Sequence, residues 1–471
     1  MSLPWPAIDE ALEATNPARL SGRVTRVGGL LVEGYLPGAR LGMMCTLQVS
    51  GRAGGVPAEV VALREGRVVL MPLEPVPGIT VGSPIDPGRV DPTVGVSPAV
   101  VGRVLDGWGQ PADGGPPIQF IQRYPVQPPP LNPMDRGLVD RPLSVGVRAV
   151  DALLTAGNGQ RVVIMAGAGV GKSTLLGMMA RNTDADVTVI ALIGERSREV
   201  KHFVEVEMGP QGRARSVVVQ ATAGMSVAMR LRAARVAFTI AESFRDEGKR
   251  VLLLVDSFTR ICMAQRELGL AIGEPPTTRG YPPSAFAIIP QLLERAGPGV
   301  GGGSITTFCT ALLESDDLGD PIGDAIRAVT DGHIVLSRRL ADQGHFPAID
   351  VLASTSRVMS SVVGPAHRQA ALTVRRVLAD LREAEELLTL GAYTPGDTPR
   401  FDRALAMRGA FRALLTQAPE DNADFRTARS TLLKLAKRIT DAEAAHEGGP
   451  ALAATHGGGR SAPTPDEGGT P

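Results

Sequence analysis

The stretch Gly167-Ala168-Gly169-Val170-Gly171-Lys172-Ser173-Thr174 holds the residue types with the most specific chemistry in this sequence. Its glycines let successive backbone N–H groups converge on phosphate oxygens, and a helix starting at its end adds a positive dipole. Lys172 then reaches the β- and γ-phosphates, and Ser173 places a hydroxyl on Mg²⁺. The strict pattern asks for glycine where Ala166 stands, but every group that touches phosphate is kept. Further on, Leu252-Leu253-Leu254-Val255-Asp256 is an apolar run ending in a carboxylate. As a buried strand it would carry Asp256 to the sheet edge beside the loop, where it can orient the water shell of Mg²⁺. A third run, Ile190–Ile193, is followed by Gly194-Glu195-Arg196. A strand next to the phosphate-loop strand would set Glu195 within reach of a water attacking the γ-phosphate. Each piece alone has a plainer reading, as a Gly-rich turn, a strand capped by Asp, or a solvated turn. Together they point to nucleoside-triphosphate hydrolysis.

These residues need elements to position them. Val162–Met165 reads as a short strand before the loop, and Leu175–Arg181 as a helix after it. Val187–Ile193, Ser216–Val219, Val251–Val255 and Ile305–Leu312 are further apolar strands. Between them Met229, Ala233, Val236, Ile240 and Phe244 recur at helical spacing. Alternation of this kind predicts a mainly parallel sheet covered by helices.

Residues 1–90 read differently. Arg23–Val27, Leu30–Tyr35, Met43–Val49, Ala58–Leu63 and Arg67–Leu73 are short strands broken by Gly and Pro, the pattern of a small β-barrel. Eight basic and eight acidic residues, with only Trp5 and Tyr35 as aromatics, suit a packing or assembly module better than a grip on single-stranded nucleic acid. Nine prolines between Pro111 and Pro142 predict a stiff, extended connection with little regular structure. From Ala371 the strand signal ends. Ala371, Val374, Leu378 and Leu381 form one helical stripe, and Leu432, Leu435, Ala436 and Ile439 another. The last stretch, His446–Pro471, holds seven Gly and four Pro with few large apolar groups, a composition expected to stay disordered.

Composition sets the outer bounds. The 471 residues imply two or three domains. Lys plus Arg and Asp plus Glu each number 49, which excludes a chain built mainly on attraction to nucleic acid or anionic lipid. Cys45, Cys262 and Cys309 are far apart, so neither a disulfide framework nor a zinc site is expected. The N-terminus lacks a secretory pattern and no apolar run approaches a membrane span, so a cytoplasmic protein is expected.

Longer runs carry a resemblance. They are GRVLDGWGQPADGG (102–115), RPLSVGVRAVDALLTAGNGQR (141–161), AGAGVGKSTLLGMMARN (166–182), VIALIGERSREVKHFVE (189–205), DSFTRICMAQRELGLAIGEPPTTRGYPPSAF (256–286) and DPIGDAIRAVTDGHIVLSRRLADQGHFPAIDVLASTSRVM (320–359). From about Ser21 to Arg438 the chain resembles the type III secretion and flagellar protein-export ATPases, relatives of the catalytic β-subunit of rotary ATP synthases.

The resemblance implies a P-loop α/β core with an N-terminal β-barrel (1–90), a nucleotide-binding domain including the Pro-rich connection (91–370) and a helical C-terminal domain (371–445). It implies that Gly167, Ala168, Gly169, Val170, Gly171, Lys172, Ser173 and Thr174 bind the phosphates of ATP. Ser173 and Asp256 would hold Mg²⁺, and Glu195 would polarise the lytic water. It sets Arg260 near the γ-phosphate and makes Arg357 an arginine finger acting on the neighbouring protomer's nucleotide. It puts Phe346 where the family commonly stacks a Tyr on adenine. Ser197 departs from the Gly common there, and the Gly/Pro-rich tail has no counterpart. The implied assembly is a homohexamer at the cytoplasmic face of the inner membrane. Its implied partners are chaperone–substrate complexes, stator and central-stalk proteins and the export gate, with no nucleic acid. PGARLGMMC (37–45) and PAIDVLASTSRVM (347–359) lean toward the non-flagellar branch. A flagellar export ATPase or a rotary synthase subunit is the alternative.

Overall fold

Alternating buried and exposed side chains close the first strands into a barrel. The computed structural model describes residues 21–51, 54–75, 77–88, 92–313 and 319–447. The N-terminal residues Met1–Asp9 and nearly all of the tail fall outside them. Strands β1 (Gly22–Gly28), β2 (Leu31–Tyr35), β3 (Met44–Leu47), β4 (Val56–Arg64), β5 (Arg67–Pro72) and β6 (Pro84–Pro87) form a closed barrel in the order β1-β2-β5-β4-β3-β6. Val24, Val32, Leu47, Val56, Leu70 and Ile85 fill it. Five of these strands are legible in the sequence. The sixth, Pro84-Ile85-Asp86-Pro87, is masked by a proline at each end, yet it pairs with both β1 and β3 and closes the ring. Proline is tolerated there because it sits at strand ends.

As expected, the Pro-rich connection from Pro111 to Pro142 has little regular structure, with one short strand and one helical turn (Pro133–Asp135). Strand β7 (Thr93–Val96) pairs antiparallel with β9 (Gln122–Pro125), with β8 (Val104–Leu105) between them in sequence. Val126 of the connection, and Val94 and Val96 ahead of it, are buried against the main core.

The central sheet contains β10 (Arg161–Ala166), β11 (Val187–Ile193), β12 (Ser216–Ala221), β13 (Arg250–Asp256), β14 (Ser304–Leu312), β15 (Gly332–Leu336) and β16 (Ile349–Ser356). Its order is β16-β15-β10-β14-β13-β11-β12-β8. Neighbours along this path are parallel except β15 and β16, an antiparallel edge pair not read from the sequence. Both alternate buried with partly exposed side chains, so neither shows a continuous buried run. One expectation is corrected. Strand β11, which leads to Glu195, is not beside the phosphate-loop strand β10; β14 and β13 lie between them. Uniformly apolar runs leave strand order unspecified.

Helices cover the sheet. They include α1 (Lys172–Asn182), α2 (Ser197–His202), α3 (Val227–Asp246) and α4 (Phe258–Ala271). Ser226 and Ser257 cap α3 and α4 by accepting from the backbone N–H groups of Met229 and Arg260. The C-terminal helices are α5 (Pro365–Thr389), α6 (Pro399–Ala406), α7 (Arg408–Leu415) and α8 (Phe425–Glu447). Helix α5 starts a little before the expected Ala371, at Pro365, a residue suited to a first turn. Val374, Leu381, Phe411 and Leu432 join the same core as Leu175 and Ile190. The Gln417 amide bonds the Gly146 carbonyl at 2.9 Å and accepts from the Arg148 N–H at 2.8 Å, tying this region to the central one. Among the described residues no helix is long and apolar enough to cross a membrane. All three cysteines are buried and unpaired.

Candidate active site

The phosphate loop leaves the sheet at Ala166 and enters α1 at Lys172. Gly169 and Gly171 have φ of 78° and 90°, a left-handed backbone that a side chain would strain. Gly171 is the N-cap of α1 and brings no side-chain cap, so the first N–H groups of the helix stay available to an anion. Val170 is buried and anchors the loop, while Ala168 and Gly169 face solvent. Arg338 donates to the Ala168 carbonyl at 2.9 Å and braces the outer turn.

Three charged groups converge at this loop. Asp256, at the end of β13, is 3% exposed, and its Oδ1 accepts from the Lys172 ammonium. The same oxygen accepts the Thr310 hydroxyl of neighbouring β14 at 2.8 Å. Glu195 lies 3.9 Å from the Lys172 Nζ. Burial pushes the Glu195 carboxyl up to about 7; Lys172 opposes this and Asp256 adds to it. A hydrogen bond with Glu199, one turn along α2, also favours the protonated form. Glu195 reaches this place despite the strand order because its strand ends at the same carboxyl edge as β13, with Leu192 opposite Asp256.

Arg260 sits on the first turn of α4. A Cβ on Gly194 would fall 2.9 Å from the Arg260 Cβ, so Gly194, at φ 74°, lets the Glu195 turn press against it. The Arg260 Nε is buried without a hydrogen-bond partner among the described residues. Phe346 is 43% exposed, which excludes an ordinary core role. Its ring comes within about 3.6 Å of the position a Gly171 Cβ would take, so it borders the phosphate loop. Ser173 and Thr174 begin α1, and the Thr174 hydroxyl donates to Glu207 at 3.1 Å.

Arg357 stands apart. Its backbone N–H donates to the Asp331 carbonyl at 2.9 Å, just before β15 begins. Strand β15 runs parallel to β10, with Leu336 opposite Ala166. Arg357 is therefore at the amino edge of the sheet and the phosphate loop at the carboxyl edge, separated by roughly 15 Å along the strands. Its side chain is exposed.

Sequence reasoning missed Thr310, Arg338 and Glu199. Thr310 is a polar residue within an apolar strand, a detectable signal, but its partner depends on β14 lying beside β13. Glu199 is four residues after Glu195 at the start of a helix, a spacing that brings the two carboxyls together.

The arrangement can bind a triphosphate, accept a cation on buried oxygen and hold a carboxyl near the terminal phosphate. Residues 146–356 match the ATP synthase alpha/beta family nucleotide-binding domain, 24–87 its beta-barrel domain and 363–434 the T3SS EscN ATPase C-terminal domain. The chain is 48% identical over 427 residues to the flagellum-specific ATP synthase of Salmonella typhimurium, covering 88% of this chain and 94% of that one. It is 46% identical over 405 residues to the type 3 secretion system ATPase of Sinorhizobium fredii, covering 86% and 89%. The assembled ATPase EscN of enteropathogenic E. coli superposes with a TM-score of 0.82 at 41% identity, covering 88% of this chain and all 100% of that one. EscN in complex with its central stalk EscO gives 0.81 at 40% identity, with coverage of 88% and 100%.

Proposed function

The chain belongs to the type III secretion and flagellar export ATPases, and on that premise we propose how its residues divide the work of ATP hydrolysis. The hydrolysis energises protein export through a type III secretion system, with a flagellar export apparatus as the alternative setting. The phosphate loop, Gly167 to Thr174, binds the β- and γ-phosphates through backbone N–H groups and the Lys172 ammonium. Before nucleotide arrives, Asp256 and Glu195 hold that ammonium in place.

The residues fit a divalent cation. The Ser173 hydroxyl and the Asp256 carboxylate are the hard oxygen donors Mg²⁺ takes, and Asp256 already receives a cationic group. A Mg²⁺ ion held there would supply positive charge to offset that of the phosphates. Thr310 keeps the Asp256 carboxylate turned toward the loop. Glu195 aligns the attacking water and takes its proton, and its raised pKa suits a base working near neutral pH. Arg260 steadies charge next to the γ-phosphate. Phe346 stacks on adenine, the role its exposed ring beside Gly171 supports.

Arg357 cannot serve its own loop from the far edge of the sheet. It acts on the nucleotide of a neighbouring protomer, which makes the working form a homohexamer with sites between chains. The barrels join into a ring, and the C-terminal helices face chaperone–cargo complexes. A central stalk, stator proteins and the inner-membrane export gate are the further partners, placing the ring at the cytoplasmic face of that membrane. ATP and Mg²⁺ are the only small-molecule requirements of this reading, and nucleic acid has no part in it.

The observation that carries the reading is the meeting of Lys172, Asp256 and Glu195 at the mouth of the loop. The test is ATPase rate per protomer across a wide protein concentration range, without RNA or partners. A rate that rises with concentration is expected. No activity at any concentration would shift weight to a ring that needs a second kind of subunit.

A further inference from the structure

Barrel and nucleotide-binding domain enclose between them a cavity of about 350 Å³, open to solvent on one side. Thr93, Trp108, Gln110, Arg123 and Arg232 are among the residues that line it. Arg232 is the unusual one. It lies on α3, is 4% exposed, and stacks its guanidinium 4.6 Å from the Trp108 ring centroid. Its Nε is buried with no hydrogen-bond partner among the described residues.

The nearby carboxylates, Glu59 and Asp106, attract Arg232 through space, but their hydrogen bonds go to other groups. Glu59 of the barrel pairs with Arg235 at 3.4 Å. Asp106 accepts the backbone N–H groups of Trp108 and Gln110 at 2.8 and 2.9 Å. A buried cation without a paired acceptor is costly, and burial lowers the Arg232 pKa accordingly. Trp108 offers its ring face, which attracts the charge but accepts no N–H in the guanidinium plane. Arg123, which also lines the cavity, donates its Nε to the Thr93 hydroxyl at 2.9 Å, which leaves its terminal nitrogens for another acceptor.

We propose that this cavity binds a small phosphate-type oxyanion, held between Arg232 and Arg123 with help from Thr93 and Gln110. A tetrahedral oxyanion supplies several acceptor oxygens at once, and arginine forks match them in pairs. Arg232 and Trp108 belong to the nucleotide-binding domain, and the cavity rim includes Thr46 and Pro57 of the barrel. An occupant there ties the two domains together, away from the catalytic phosphate loop.

The test must silence that loop, which also binds phosphate, so the full chain carrying Lys172→Ala is the background. Its melting temperature is followed against inorganic phosphate, with chloride at matched ionic strength as the control. A saturable rise is expected, weakened about tenfold in affinity by Arg232→Met, which retains an apolar stem over Trp108. Arg123→Ala, at an exposed position, should weaken it in the same direction without threatening the fold. Glycerol 3-phosphate in place of phosphate tells a free ion from the end group of a small ester: a response to both assigns the ester, to phosphate alone the ion. No saturable response to either, or an equal response with both arginines removed, overturns the proposal.

Discussion

The two edges of the central sheet handle charge in opposite ways. At the carboxyl edge Lys172, Asp256 and Glu195 are drawn together, with Asp256 at 3% exposure and its oxygen doubly bonded. At the amino edge Arg357 is exposed, and its backbone N–H is tied to Asp331. The first edge is complete enough to bind nucleotide within one chain. The second presents a cation with no ion pair among the described residues. On the proposed reading, this difference assigns nucleotide binding to the protomer and turnover to the assembly.

Arg357→Ala is the sharpest way to break that contrast. Turnover should fall by roughly 10³-fold or more while nucleotide affinity of the isolated chain stays unchanged. Equal activity in the assembled variant would remove Arg357 from the finger role. Glu195→Gln should lose roughly 10²- to 10⁴-fold in kcat and keep ATP binding. Mixing these two variants sharpens the contrast further: partial recovery of activity is expected, because some interfaces then join an intact Glu195 to an intact Arg357. No recovery would place both residues in the service of one chain.

A pH profile tests the carboxyl edge alone. Burial raises the Glu195 pKa to about 7, so below that pH the residue is protonated and cannot take a proton from water. The rate constant kcat/KM, which reports the free enzyme, should fall as pH drops through about 7, not through the ordinary carboxylate range. Glu195→Gln should flatten that limb. Phe346→Ala should raise KM for ATP about tenfold by loss of stacking and leave kcat nearly unchanged, with Phe346→Tyr close to wild type. The smallest effect is expected from Thr310→Val. Loss of one hydrogen bond to Asp256 should raise the Mg²⁺ concentration needed for half-maximal rate by about threefold, and Thr310→Ser should restore it.

Legibility differed by element for physical reasons. The phosphate loop was legible because its backbone demands glycines at fixed places, seen here in the left-handed Gly169 and Gly171. Apolar runs announced β10 to β14 because strands buried on both faces tolerate little else. The closing barrel strand, with prolines at both its ends, and the alternating β15 and β16 gave no such run. The Pro-rich connection was legible as a stretch of little regular structure, and its hold on the core at Val126 was not. Arg232 and Trp108 drew no notice as separate letters, since their contact joins a loop to a helix far along the chain.

Local chemistry was therefore set by the sequence alone: which stretch is built to cradle phosphate, which strand ends in a carboxylate proposed to hold Mg²⁺, which glutamate follows a strand. These follow from backbone geometry and side-chain type within a few residues. Only the tertiary structure decided that β14 and β13 stand between the strands carrying the loop and Glu195, that Thr310 bonds Asp256, and that Arg357 lies at the opposite edge of the sheet from its own loop. Strand order depends on packing between segments more than a hundred residues apart, and no local pattern encodes which apolar strand finds which neighbour.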